Sequence, residues 1–116
     1  MKKLILMLAV FLAGSISVQA GQSEVRLAEK VIKINEYPCG KVLKATKVQD
    51  TKDYLDVRAE CSNKEIYRVG ILYGRARDVK TIIRCSVFGT NKDPYPSVHK
   101  EDGAMFGITP ENCAKN

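Results

Sequence analysis

Apolar residues recur at Leu27, Ala28, Val31, Ile32 and Ile34 with the spacing of one helical face, while Arg26, Glu29, Lys30 and Lys33 occupy the other. The pattern predicts an amphipathic helix over 24–36, with Ser23 as its N-cap, Glu24 favourable in its first turn and Pro38 forbidding continuation. After Pro38 the period changes to two. Segments 41–48, 53–61, 65–73 and 79–88 are rich in Val, Ile, Leu, Tyr and Thr, and short polar gaps separate them. In the second, Leu55, Val57, Ala59 and Cys61 alternate with Tyr54, Asp56, Arg58 and Glu60. In the third, Tyr67, Val69, Ile71 and Tyr73 alternate with Ile66, Arg68, Gly70 and Leu72. One face of such a sheet is apolar, and the helix must cover it.

From Gly89 the periodicity dissolves among Asn91, Asp93, Pro94, Pro96, Gly103, Gly107 and Pro110, so 89–116 reads as an irregular C-terminal arm with at most a single helical turn begun by Thr109 and Pro110. The predicted fold is therefore α+β: one N-terminal helix packed on a four-stranded antiparallel meander sheet, with a disulfide-stapled irregular C-terminal arm.

The N-terminus follows another rule. Lys2 and Lys3 precede an almost wholly apolar run from Leu4 to Ala13, and Val18 and Ala20 supply the small positions of a cleavage site. That pattern is a Sec-type signal peptide over 1–20, cleaved after Ala20. Of the 116 residues, removing 1–20 leaves 96, enough for a single small domain over 21–116. Leu12-Ala13-Gly14 is followed by Ser15 and not by cysteine, so the product is not expected to be a lipoprotein, and no other apolar run is long enough to span a membrane. Periplasm or medium is the expected address.

Four cysteines, Cys39, Cys61, Cys85 and Cys113, all lie in the exported part. An even number in an oxidising compartment predicts two disulfides, each contributing on the order of 3–4 kcal/mol in a domain of this size. No Cys-x-x-Cys is present and His99 is the only histidine, so no metal and no cofactor is expected. Short hairpin loops suggest a register. If Val48 faces Lys52, then Cys39 faces Cys61; if Cys61 faces Glu65 and Tyr73 faces Val79, Cys85 faces Tyr67. Cys85 is then roughly 10 Å from Cys61, beyond disulfide reach. Cys39 with Cys61, and Cys85 with Cys113, is the preferred connectivity, which pins the arm to the last strand.

The same register sets Arg58 opposite Arg68 and Arg68 opposite Arg84 on the outer face, with Lys80 nearby. Like charges directly opposite destabilise a sheet, so something must offset them. Asp56 and Glu60 beside Arg58 would make the face self-neutralising; the alternative is a docking face for an acidic protein surface, phosphate or glycan. Arg75 and Arg77 add charge in the adjoining loop.

The order of parts resembles PepSY-type modules of secreted bacterial proteins. The likeness is carried by the Ala28-x-x-Val31-Ile32 helix, Gly40-x-Val42, Tyr54-x-x-x-Arg58, the hairpin, and Ile66-Tyr67-x-Val69, and spans residues 28–83. Where those modules usually carry Asp-Gly at the hairpin, Ser62-Asn63-Lys64 stands here. The resemblance implies a non-catalytic binding or inhibitory module outside the cytoplasm.

Chemistry is sparse. Ser97 and His99 are two residues apart with no assignable orienting acid, and Glu101 and Asp102 are adjacent, which suits neither nucleophilic nor paired-carboxylate catalysis. A net charge of +6 that includes Lys2 and Lys3, with no basic run in the remainder, does not point to nucleic acid or to stable membrane insertion. The leading expectation is a non-enzymatic exported binding module, an inhibitor or accessory of a periplasmic or secreted protein, meeting a protein or other anionic surface of the cell envelope through Arg58, Arg68, Arg84 and Lys80. The alternatives are a small secreted hydrolase or nuclease using His99, and a structural component of an envelope assembly.

Overall fold

A computed structural model describes residues 22–74 and 76–115. The signal peptide expected over 1–20 lies outside the described residues, as does Arg75. Helix α1 spans Gln22–Ile34 and buries Ala28, Val31 and Ile32. It begins before the expected start, so Ser23 sits inside it and donates to Glu24 Oε2 at 2.9 Å instead of capping. It also stops earlier than expected. Glu36 takes a left-handed φ of 60°, and the N–H of Tyr37 returns to the carbonyl of Ile32 at 3.1 Å, closing the helix ahead of Pro38.

Four strands follow: β1 Val42–Asp50, β2 Tyr54–Cys61, β3 Ile66–Leu72 and β4 Val79–Arg84. They form one antiparallel sheet in the order β1-β2-β3-β4, the expected meander. The β2–β3 register is as expected, with Arg58 opposite Arg68. The β1–β2 register is not. Bulges between Val42 and Lys44 and between Lys47 and Gln49 set Val42 opposite Cys61 and Asp50 opposite Leu55. Each bulge takes up an extra residue, Leu43 or Val48, and lets Val42, Ala45 and Lys47 keep facing α1. Cys39 thus lies beyond the strand. The turn at Gly40, whose φ of 81° suits glycine, still brings its Cα to 5.1 Å from that of Cys61, and the disulfide forms.

β3 and β4 pair one residue away from expectation, with Leu72 opposite Val79 and Tyr67 opposite Arg84. β4 also ends at Arg84 and not at Phe88, because the N–H groups of Val87 and Phe88 both turn back to the carbonyl of Arg84. The physical reason for the shift is that both faces of the sheet are covered. Ile82 packs towards α1 and Ile83 beneath the arm, so either phase of Ile82-Ile83 buries both side chains.

The arm is less irregular than expected. It carries helix α2, Pro96–Phe106, opened by a proline in its first turn and closed by Gly107 in a left-handed conformation. Its buried residues, His99, Gly103 and Phe106, follow no strong apolar stripe. The turn expected at Thr109 is present, with the N–H of Cys113 bonded to the Thr109 carbonyl at 2.9 Å. Cys113 joins Cys85, so the second disulfide ties the end of the arm to the end of β4. Two apolar layers result. Ala28, Val31, Ile32, Val57, Ala59, Tyr67, Val69 and Ile82 fill the α1 side, and Ile83, Phe88, Phe106, Ile108 and Cys113 fill the arm side.

Gly70 marks where α2 meets the sheet. A Cβ there would stand 2.5 Å from Thr81 Oγ1 and 2.8 Å from the Phe106 ring. Gly70→Ala is expected to lower stability by about 1–3 kcal/mol through overpacking, read as a fall in the urea midpoint of the oxidised domain. An unchanged midpoint contradicts this packing.

Candidate functional site

The four basic residues proposed from sequence are not brought together. Arg58 and Arg68 stand side by side, yet they are only 7% and 5% exposed, because the arm covers the face they occupy. Arg68 engages Asp56 through both Nε and Nη2 and donates from Nη1 to the carbonyl of Cys113 at 3.3 Å. Arg58 donates from Nε to the carbonyl of Ala114 at 2.6 Å and meets Glu60 at 3.3 Å. The like-charge contact is thus offset by two acids and two carbonyls of the chain itself. The one-residue shift of β4 puts Arg84 on the α1 side, where its Nε holds Glu65 Oε2 at 2.6 Å. That guanidinium lowers the Glu65 carboxyl below its usual range. Lys80 faces the same side and is exposed at the sheet edge. An exposed arginine row is therefore corrected to an internal clamp.

A concavity among the described residues lies elsewhere. A groove of about 460 Å³ runs beside β4, between residues 35–37, which follow α1, and the arm from Pro94 to Asp102, with Lys80, Thr81 and Ile82 along its floor. Tyr95 and Val98 on its rim are 59% and 51% exposed. At its inner end His99 Nδ1 lies 2.9 Å from Asp93 Oδ2, and both residues are buried. Asp93 also accepts the N–H of Tyr95 at 2.9 Å, and the Tyr95 ring meets the His99 ring edge-on. The pair therefore fixes the start of α2. Burial raises the Asp102 carboxyl above its usual pKa, with His99 opposing. Burial also raises the Tyr37 phenol, and it pushes Tyr67 up to about 12, where the hydroxyl donates to the Pro38 carbonyl.

Sequence reasoning singled out His99 but found no acid for it. Asp93 is that acid, six residues upstream, and the proline-rich spacing between them hid the pairing. Asp93 and His99 supply an acid and an imidazole, yet among the described residues no serine, threonine or cysteine hydrogen-bonds to His99. Among them, too, no three His, Cys, Asp or Glu side chains gather as a metal would require. Both disulfides are formed and no described cysteine is free, which fits folding in an oxidising compartment. No described helix is long and apolar enough to cross a membrane. No protein-family model, curated protein or solved structure matches the chain, and the likeness to PepSY-type modules rests on its motifs alone.

Two measurements check this geometry. Arg68→Met alone strands the Asp56 carboxylate and is expected to cost about 3–5 kcal/mol, whereas Asp56→Leu with Arg68→Met costs far less than the two single changes added. Additive losses in urea unfolding contradict the buried pair. For Asp102, a raised folded-state pKa means that the charged form opposes folding, so its stabilising share is present at low pH and is lost as pH rises through that pKa. Asp102→Asn should therefore melt higher than the parent near pH 7, with the gap closing below roughly pH 4. A lower melting temperature at neutral pH contradicts it.

Proposed function

We propose that this chain is a non-enzymatic exported binding module, an inhibitor or accessory of a periplasmic or secreted protein, and that it binds through the groove beside β4. The observation that carries this reading is the groove itself. It joins a strand edge that no other described strand pairs with to exposed Tyr95 and Val98, the pairing of edge and aromatic anchors that recognition sites use. The two disulfides and the signal-peptide pattern support the compartment. The motif order shared with PepSY-type modules supports the class. The buried Asp93–His99 pair favours a second reading, a small hydrolase using His99, but among the described residues no serine, threonine or cysteine hydrogen-bonds to that histidine.

The test is capture from periplasmic extract by the oxidised domain, beside Tyr95→Ser with Val98→Ser, and beside Leu43→Ser, a control 67% exposed on the far edge strand. The same protein should be held by the parent and by Leu43→Ser, and held about tenfold less by the groove variant. Equal capture by all three contradicts the groove as the binding site, and hydrolysis of a test ester or nucleic acid that disappears in His99→Gln contradicts the non-enzymatic reading.

A further inference from the structure

The two edges of the sheet are built differently. On β1 the ladder is broken twice by bulges, Lys44 and Lys47 lie along it, and the N–H of Val42 is taken by Glu29 Oε2 at 3.3 Å. Bulges and lysines are devices that blunt an edge against further pairing. β4 carries one lysine, Lys80, but no bulge, and among the described residues no strand covers its outer edge. Its register runs uninterrupted from Val79 to Arg84.

The direction of its free backbone groups follows from one bond. The N–H of Cys85 donates to the carbonyl of Ile66 at 2.9 Å, which makes that a hydrogen-bonded pair. Bonded and non-bonded pairs alternate along an antiparallel ladder. Ile83, Thr81 and Val79 therefore spend their N–H and C=O groups on β3, while Lys80 and Ile82 turn theirs outward. Outward is the groove, whose floor these two residues form. Among the described residues no side chain and no backbone group outside the sheet bonds to either of them.

The shape of the groove limits what can use that edge. Residues 35–37 stand on one side of it and Tyr95 to Asp102 on the other. A second copy offering its own β4 would bring the same two walls against these, whereas a single extended chain has no walls to bring. Charge narrows the choice further. Two carboxylates, Glu36 and Asp102, and one ammonium, Lys80, line the groove, none with an ion-pair partner among the described residues, so acids outnumber bases there while Asp93 and His99 satisfy each other. Burial without a partner is what raises the Asp102 carboxyl, and a cation beside it would reverse that.

We propose that the groove takes an extended peptide segment of a partner protein as a fifth strand along β4, with a Lys or Arg side chain of that segment meeting Asp102. The proposal rests on the groove being the binding site and names its ligand. Main-chain bonds to Lys80 and Ile82 supply the attachment, Tyr37, Tyr95 and Val98 receive alternate apolar side chains, and the acid sets the preference for a basic residue.

The test uses the oxidised domain labelled with nitrogen-15 and two pools of acetylated, amidated heptapeptides, randomised except for a central Arg in one pool and a central Glu in the other. Amide exchange at Lys80 and Ile82 should slow on adding the Arg pool, which binds about tenfold tighter than the Glu pool. Asp102→Asn should erase that preference. Lys80→Pro removes an outward N–H at a place where an edge strand tolerates proline, and should weaken binding about tenfold while leaving the melting temperature near that of the parent. Resonance shifts at Tyr95 and Val98 without slowed exchange at Lys80 and Ile82 overturn the fifth strand and leave the groove as the binding site. No response to either pool at millimolar concentration overturns the peptide as ligand, and a dimer with these amides already protected assigns the edge to a second copy instead.

Discussion

Two guanidinium groups face each other on adjacent strands, and both are buried. Arg58 and Arg68 are the constraint on which the rest of this structure depends, because a buried cation must find acids and carbonyls or the sheet does not hold. Asp56 and Glu60 supply the acids. The carbonyls of Cys113 and Ala114 supply the remainder, and they come from the arm. The arginines thus fix where residues 113 and 114 lie, and the Cys85–Cys113 disulfide closes the same loop from the other side.

With the end of the arm fixed, the position of α2 follows. The segment between Cys85 and Cys113 has to cross the face that the arginines occupy. It does so by laying Phe106 on Gly70 and Tyr54, and Gly103 against Phe88. The start of α2 then falls beside the outer strand, held there by Asp93 on His99. The groove is a consequence of this placement. Its far wall is the left-handed stop of α1 at Glu36, and its floor is the edge that α2 approaches without covering.

This hierarchy explains which parts were legible in the sequence. The α1 stripe, the four strands and the β2–β3 pairing were readable because a regular alternation with a short turn has one good phase. The phase of β4 was not, since Ile82 and Ile83 find apolar cover on either face. The bulges in β1 were equally hidden, as Leu43 and Val48 look like ordinary strand residues. The disulfide connectivity came out as expected although two registers did not, because a disulfide asks for proximity at strand ends and not for directly opposed residues. Helix α2 escaped notice because its buried side is a histidine, a glycine and one phenylalanine. Of the two readings of the arginines, the self-neutralising one through Asp56 and Glu60 is what the structure has, and only the carbonyls of Cys113 and Ala114 were not foreseen.

These arginines hold the arm, and through it the groove. Native-state hydrogen exchange measures that hold most directly, comparing the oxidised parent with Arg58→Met. Amides of α2 and of residues 107–113 should lose protection while Val57, Val69 and α1 keep theirs. Loss spread evenly over both sides of the sheet, or none in α2, would contradict it.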